Sequence, residues 1–123
     1  GPYHRDSVYP KALCLELSDR GLFVEQEVNI AIEYPLKQTM LTLAIERADI
    51  VLNQSCVIEI KVGEPKAQAV QAAIGQTRRY QRFYRNGQAK LGFVVFFGPT
   101  ESRCFKVTQV EAGREEDRED HSE

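Results

Sequence analysis

The spacing of apolar and polar residues along the chain predicts two helices and five strands. The first helix is expected over residues 7–18, where apolar residues recur near helical spacing. Ser7 can cap it, and Pro10 is tolerated only within its first turn. The second helix is expected to start at Glu64-Pro65, with proline in its first turn, and to run to about Asn86.

Five short apolar segments read as strands. The first is expected to end at Pro35. The fourth is nearly all apolar, which is typical of a central strand covered on both faces, and the fifth is polar at alternate positions, as expected at a sheet edge. The predicted strands cover residues 23–34, 41–52, 56–62, 91–97 and 103–110. The order αβββαβ(β) indicates a single α/β domain with a mixed central sheet flanked by helices, and the chain contains no internal repeat.

Composition limits the classes of function. The chain has 123 residues and a net charge of -2, so it forms one domain and any contact with nucleic acid must come from local patches. Its cysteines, Cys14, Cys56 and Cys104, show no CxxC spacing, which disfavours a disulfide framework, a zinc site or an iron–sulfur cluster. We expect reduced, buried thiols in an intracellular protein, and no apolar run is long enough for a membrane span.

Both ends of the chain differ from the rest. Gly1-Pro2 is typical of a protease scar left by expression, so residues 1–2 are excluded from the predicted domain. Residues 111–123 are acidic and almost free of apolar residues, which predicts a disordered tail. The predicted domain therefore covers residues 3–110.

The strongest chemical signal lies in the second and third predicted strands. Asp49 stands near the end of one apolar strand, and Glu59 and Lys61 stand two apart on the next. Side chains two apart on a strand point to the same face. Two carboxylates and an ammonium group in an apolar setting can hold a divalent cation and activate a water molecule.

The length of the turn between these strands decides whether the two carboxylates meet. A three-residue turn at 53–55 pairs Leu52 with Cys56, and therefore Asp49 with Glu59. Opposed side chains then lie about 5 Å apart at Cβ, whereas a two-residue turn would send the carboxylates to opposite faces. The simpler alternative is a solvated hairpin edge whose charges form cross-strand ion pairs.

The second predicted helix carries polar groups suited to the same site. Gln76 and Tyr80 are four apart and share one helix face, so both can bond a phosphate or, for Gln76, the attacking water. The alternative is a packing face with Tyr80 half-buried.

The same helix carries arginines between aromatic residues. Guanidinium groups beside aromatic rings suit phosphate contact and base stacking, although a solvated face is equally compatible with the pattern. The predicted nucleic-acid-binding residues are Arg78, Arg79, Arg82 and Arg85, with Lys90 extending the patch.

The order of these motifs resembles that of the PD-(D/E)xK nuclease superfamily. The resemblance rests on Asp49, on Glu59-Ile60-Lys61 and on the segment from Gln76 to Tyr80. The D…ExK…QxxxY order is similar to that of the RecB-like branch. A closer resemblance is to the small family named for its GxxExxY motif, and it extends over nearly the whole chain.

This resemblance implies a restriction-endonuclease-like fold that cuts phosphodiester bonds with Mg²⁺ or Mn²⁺, with DNA as the favoured nucleic acid. It implies that Asp49 and Glu59 bind the metal, with the Ile60 carbonyl as a third ligand, and that Lys61 is the catalytic lysine. The helix would complete the catalytic group through its glutamine and tyrosine.

Asp6 stands where that family has a helical glutamate, so the resemblance implies that Asp6 is a further metal ligand. Glu16, later on the same helix, is a weaker candidate for that role.

Three functions remain open from the sequence. The first is a metal-dependent nuclease, and the second is a catalytically weak or inactive module of the same fold that binds nucleic acid or a protein. The third is a protein–protein scaffold that oligomerises through the edge strand at 103–110. Homo-oligomerisation is compatible with each of them.

Overall fold

The computed structural model describes residues 2–98 and 104–113, without the side chains of residues 2–9, 104 and 105. A single 3₁₀ turn, Tyr84–Asn86, follows the second helix. The elements are α1 (Pro2–Asp19), β1 (Val24–Leu36), β2 (Thr39–Leu52), β3 (Cys56–Val62), α2 (Ala67–Phe83), β4 (Leu91–Phe97) and β5 (Cys104–Glu111).

The five strands form one sheet in the order β1-β2-β3-β4-β5. Neighbouring strands are antiparallel except β3 and β4, which are parallel and are connected through α2. A parallel connection of this kind needs a crossover, and a helix supplies it. The predicted mixed sheet with flanking helices is therefore confirmed, including the interior position of β4, between β3 and β5, and the edge position of β5.

The two faces of the sheet carry separate hydrophobic clusters. On one face Cys14 of α1 packs with Ile50, Ile58 and Ile60. On the other face the residues of α2 pack over Val57 and its neighbours. Because successive side chains alternate across a strand, β3 is buried on both faces, and each fully buried aliphatic side chain contributes about 1.5–3 kcal/mol.

The position of α2 over the sheet is fixed by a close contact with β4. A Cβ atom at Gly92 would lie 2.8 Å from Nε2 of Gln81 and 2.9 Å from Cγ2 of Thr77. Gln81 Nε2 also donates a hydrogen bond to the Val110 carbonyl, at 3.2 Å. α2 therefore packs directly on the backbone of β4, and the adjacent face of α2 points toward β3.

The predicted start of α1 is wrong. The helix begins at Pro2, so Ser7 lies inside it, and Pro10 lies in its interior rather than in its first turn. An interior proline removes one backbone hydrogen bond and destabilises a helix, but the helix can still form on its N-terminal side when other contacts stabilise it. Here the second half of α1 is anchored in the core through Cys14.

Two further element boundaries also differ from the prediction. β1 continues through Pro35 to Leu36, because β1 is an edge strand and the missing N–H of proline faces away from β2. The second helix begins at Ala67, so Pro65 precedes it rather than occupying its first turn. The residue before α2, Lys66, is in extended conformation, which explains the later start.

The remaining terminal and cysteine predictions are only partly covered by the structure. β5 includes Glu111, one residue beyond the predicted end, and residues 114–123 lie outside the described residues. Cys14 and Cys56 are buried free thiols, as predicted, and burial raises the pKa of Cys56 to about 11. Among the described helices, none combines the length and apolar character that crossing a bilayer requires.

Candidate functional site

The hairpin between β2 and β3 has the predicted three-residue turn. Asn53 and Gln54 adopt positive φ values of 49° and 53°, and the Ser55 amide donates to the Leu52 carbonyl at 2.9 Å. Asparagine tolerates this left-handed region better than most residues, which favours the turn at this position. Leu52 then pairs with Cys56, so the predicted register is confirmed.

Next to the Ile50–Ile58 pair, the two carboxylates accept hydrogen bonds that connect β2 to β3. The Asp49 amide donates to Oε1 of Glu59 at 3.2 Å, and the Ile60 amide donates to Oδ2 of Asp49 at 2.8 Å. Each carboxylate thus accepts a hydrogen bond from the opposite strand. The predicted meeting of Asp49 and Glu59 is confirmed, and the alternative of a solvated hairpin edge does not hold for Glu59, which is 2% exposed.

Burial makes a second negative charge in this site unfavourable. Desolvation is the main cause that raises the pKa of Glu59 to about 8, followed by the charge and the hydrogen bond of Asp49. The charge of Lys61 partly opposes this rise in the pKa. A carboxyl in such a setting either keeps a proton at neutral pH or requires a nearby cation.

A chain of hydrogen bonds connects the strand to the helix. Nζ of Lys61 donates to Oε1 of Gln76 at 3.0 Å, and Nε2 of Gln76 donates to the Tyr80 hydroxyl oxygen at 2.9 Å. Tyr80 is 2% exposed, and burial raises the pKa of its hydroxyl, with the charge of Glu59 as the next cause. The five residues predicted as catalytic therefore lie together on the α2 side of the sheet.

The predicted arginine patch is divided by the structure. Arg79 reaches β2, where Nε and Nη2 donate to one oxygen of Glu46 at 3.0 and 2.7 Å. Arg78 reaches β5, where Nε donates to the Glu111 carbonyl at 3.3 Å. Those strands are three positions apart in the sheet, or about 14 Å. Consecutive residues on a helix diverge by about 100°, which explains the separation.

The other two arginines lie at the end of α2. Arg82 lies over the Phe83 ring at 5.0 Å, and Arg85 lies over the Tyr84 ring at 5.7 Å. Arg85 has a φ of 45°, so it no longer follows the helix. The expected placing of guanidinium groups beside aromatic rings is confirmed, whereas a single continuous patch with Arg79 is not what the structure shows.

Sequence reasoning missed Glu46 as a neighbour of the site. It holds Arg79 in place and contributes to the raised pKa of Tyr80. The position of Glu46, three residues before Asp49, does not predict a role in the site. Glu46 reaches the helix only because β2 packs beside α2.

The predictions for α1 fare differently from those for the sheet. α1 packs on the face opposite Glu59, and the side chain of Asp6 lies outside the described residues, so its role stays a prediction. Glu16 forms an exposed ion pair with Arg20 at 3.6 Å on the helix surface. That position faces solvent, which rules out Glu16 as a replacement ligand in this structure.

Comparison with known proteins decides the family. The pattern of the PD-(D/E)XK nuclease superfamily matches residues 1–107. The chain belongs to this superfamily. No curated protein matches the sequence of this PD-(D/E)XK chain.

Two solved structures share the PD-(D/E)XK fold of this chain. The crystal structure of SSO0001 is 20% identical and superposes with a TM-score of 0.66 over 92% of this chain and 52% of that one. An alkaline exonuclease (LHK-Exo) from Laribacter hongkongensis is 14% identical, with a TM-score of 0.57 over 95% of this chain and 61% of that one. This chain thus spans between half and two thirds of each structure, and at these identities the likeness shows the fold.

PD-(D/E)XK nucleases generally use divalent metal ions, and the residues present here fit such an ion. Asp49 and Glu59 supply neighbouring carboxylates whose mutual repulsion a cation would relieve. Among the described residues there is no cluster of three or more histidine, cysteine, aspartate or glutamate side chains suited to a metal. Mg²⁺ commonly takes one or two carboxylates and fills its other positions with water and substrate phosphate, so two carboxylates suffice.

Proposed function

We propose that this chain is a Mg²⁺- or Mn²⁺-dependent nuclease that hydrolyses phosphodiester bonds in nucleic acid, with DNA as its substrate. The observation that carries the proposal is the pair of carboxylates, Asp49 and Glu59, each of which accepts a backbone hydrogen bond from the opposite strand beside the Lys61–Gln76–Tyr80 chain. Membership of a nuclease superfamily supports the same reaction. Closer kinship with the GxxExxY family is part of the proposal.

In this proposal Asp49 and Glu59 hold the ion, and the Ile60 carbonyl is a third ligand. When bound, the ion supplies Lewis-acid activation of water and neutralises charge on the phosphate. The Ile60 amide already donates to Asp49, which fixes the peptide between Glu59 and Ile60. Asp6 is proposed as a further ligand from the start of α1.

Lys61 is the proposed catalytic lysine because its ammonium group is held beside the carboxylates. Its bond to Gln76 fixes the direction of Nζ, so the ammonium can stabilise negative charge that develops on a phosphate. The Tyr80 hydroxyl accepts a hydrogen bond from Gln76, which leaves its own proton available for donation to a phosphate oxygen.

We propose that Arg79 makes the phosphate contact nearest the reaction. It is the arginine whose partner, Glu46, lies on the same strand as Asp49. Arg78, Arg82 and Arg85 lie farther round the helix and toward its end, so they suit contacts with the nucleic acid beyond the cleaved bond.

The alternative is a module that keeps the fold and binds nucleic acid without cutting it. It is favoured by the finding that the described side chains supply two acidic ligands and no third. The two proposals differ in which substitutions matter. A nuclease depends on Asp49 and Lys61, whereas a binding module depends on Arg78, Arg79 and Arg82.

The test is cleavage of labelled single- and double-stranded DNA and RNA with Mg²⁺ or Mn²⁺ and with chelator. The wild type should cut at least one substrate in the presence of metal, and Lys61→Ala and Asp49→Ala should abolish cutting. Lys66→Ala is the matched control, since Lys66 is an exposed lysine before α2. Salt-sensitive binding without cleavage by the wild type, lost on substitution of the arginines, would establish the alternative.

A further inference from the structure

The pairing between β1 and β2 changes at one point beside the carboxylate site. Val24 and Ile50 pack in the cluster on the α1 face of the sheet, whereas Val28 and Ala48 pack in the cluster on the α2 face. Residues separated by an even number of positions on a regular strand share one face. Both strands therefore turn over within this short interval, and on β2 the interval contains Asp49.

Glu27 is the residue at which β1 turns over. Its φ is 49°, in the left-handed region that residues with a Cβ atom disfavour. The other non-glycine residues with positive φ in the described part of the chain lie in turns or in the 3₁₀ turn after α2, so Glu27 is alone in having this conformation within a strand. Strain of this kind persists where the surrounding structure imposes it, and it is often found beside functional sites.

The hydrogen bonds nearby show what the strained residue changes. At the start of the same ladder, the Asn53 amide donates to the Phe23 carbonyl at 2.8 Å. In an antiparallel pair every second residue directs its amide and carbonyl to the same neighbouring strand. Regular pairing would therefore direct the Asp49 amide to the Glu27 carbonyl.

The pair of Glu27 and Asp49 is missing from the described ladder, although the pairs directly before and after it are present. The Asp49 amide points toward β3 instead, where it donates to Oε1 of Glu59 at 3.2 Å. The left-handed residue on β1 thus coincides with the release of one backbone amide, and that amide holds a carboxyl group of the candidate site. Because Glu59 is buried, this hydrogen bond is stronger than the same bond in water.

The side chain of Glu27 does not account for this arrangement. Its Oε1 lies 4.0 Å from Nη1 of Arg47, and the two side chains are 73% and 65% exposed, so the ion pair contributes little. We propose that Glu27 is a positioning residue whose left-handed backbone breaks the β1–β2 ladder and directs the Asp49 amide to Glu59. The importance of this contact for catalysis rests on the proposed nuclease function, whereas the contact itself can be measured without metal or substrate.

Substitutions that change the preference for positive φ test the proposal. Glu27→Gly accepts the left-handed conformation without strain and should keep the site, whereas Glu27→Val is β-branched and should force β1 toward regular pairing. Lys37 has a φ of 54° in the turn at the far end of the β1–β2 hairpin, so Lys37→Val is the matched control for strain alone. Urea unfolding checks that each variant is folded.

Hydrogen exchange at the Asp49 amide is the direct readout. Glu59→Ala removes the acceptor of this hydrogen bond. In the wild type and in Glu27→Gly, exchange of the amide should then become about tenfold faster or more, relative to the Val51 amide, which stays in the ladder. In Glu27→Val the amide should bond the carbonyl of residue 27 instead, so Glu59→Ala should have no effect on its exchange. Lys37→Val should leave the effect intact.

Ion affinity is the second readout, and it connects the contact to the proposed reaction. Calorimetric titration of Mn²⁺ should show that Glu27→Val weakens binding by about tenfold or more, because contacts that orient metal ligands commonly contribute this much. Glu27→Gly and Lys37→Val should bind the ion as the wild type does.

Loss of the Asp49 response and of ion affinity in Glu27→Val alone would support the proposal. Equal losses in Glu27→Gly or in Lys37→Val would overturn it, and so would a wild-type Asp49 amide that does not respond to Glu59→Ala. Should Glu27→Val fail to fold, the responses of the wild type and of Glu27→Gly decide the question. A wild type that takes up no ion while its Asp49 amide behaves as expected would refute the metal-dependent nuclease and support the positioning role.

Discussion

The two halves of β2 belong to one strand but lie in opposite environments. The inner half, from Glu46 to Leu52, lies between the two helices and carries Ala48 and Ile50, neither of which is exposed. The outer half, residues 39–45, is mostly apolar but exposed throughout. The comparison shows that apolar residues on a strand become part of a core only where helices cover them.

The difference also explains where chemistry can occur on this strand. Asp49 lies in the covered half, where exclusion of water strengthens every interaction between charges. A carboxylate in the outer half would be solvated and would not perturb its neighbours. The described residues therefore divide β2 into a covered half that carries the carboxylate site and an exposed half without one.

The largest expected effect concerns the inner half. Asp49→Asn removes one anionic ligand while keeping the side-chain shape, so we expect metal-dependent cleavage to fall by about 10³-fold or more. Single-turnover cleavage at saturating metal measures the loss. Leu43→Ala in the outer half is the control and should cut at the wild-type rate; an equal loss in both variants would contradict the division of the strand.

A matched pair of isoleucines measures the difference in stability. Ile50 is 0% exposed and Ile45 is 66% exposed. Ile50→Ala should lower the free energy of unfolding by about 2–5 kcal/mol, because it leaves a cavity in the core. Ile45→Ala should cost less than about 1 kcal/mol, mainly through lower strand propensity. Urea unfolding gives both values, and equal losses would contradict the burial described.

A third expected effect is the pH dependence of the metal-free protein. The pKa of Glu59 rises from 4.5 to about 8 on folding, so the folded state holds its proton more tightly than the unfolded state does. The free energy of unfolding should therefore fall as pH rises through that window, by at most about 1.4 kcal/mol per unit from this group. Below pH 4.5 both states are protonated and this dependence disappears.

Glu59→Gln is the control for the pH dependence, since glutamine does not titrate. The unfolding free energy of the wild type minus that of the variant should fall as pH rises from 5 to 8. Urea unfolding with chelator measures both values. A constant difference across this range would show that the folded protein does not perturb Glu59.

The smallest expected effect concerns the ion pair beside the site. The side chains of Arg79 and Glu46 are 43% and 33% exposed, so their pair is worth less than about 1 kcal/mol. Glu46→Gln frees Arg79 for phosphate and removes a negative charge, so nucleic-acid affinity should rise by about two- to fivefold. Fluorescence anisotropy at fixed salt measures the change in affinity, with Glu33→Gln on β1 as control. Weaker binding would mean that Glu46 positions Arg79 instead.

Much of the site was predictable because it depends on counting along the chain. The turn at 53–55 fixes the register, and the register brings Asp49 to Glu59. The spacing of Gln76 and Tyr80 fixes their shared helix face. Each of these inferences uses a local period and needs no knowledge of distant contacts.

The parts that could not be predicted depend on contacts between distant elements. The different fates of Arg78 and Arg79 follow from how α2 sits on the sheet, which the contact at Gly92 decides. Pro35 was expected to end β1, but its edge position makes the missing amide harmless. The exposure of residues 39–45 depends on where both helices stop, which an apolar sequence does not reveal.

The central claim is that Asp49 and Glu59 together hold a divalent ion. Calorimetric titration of Mg²⁺ or Mn²⁺ into the wild type and into Glu59→Gln at pH 7 tests it most directly. The account predicts that the wild type binds the ion with release of a proton, seen as a heat that depends on the buffer, and that Glu59→Gln binds far more weakly without proton release. Wild-type protein that takes up no ion at millimolar concentration, or a variant that binds equally well, would contradict it.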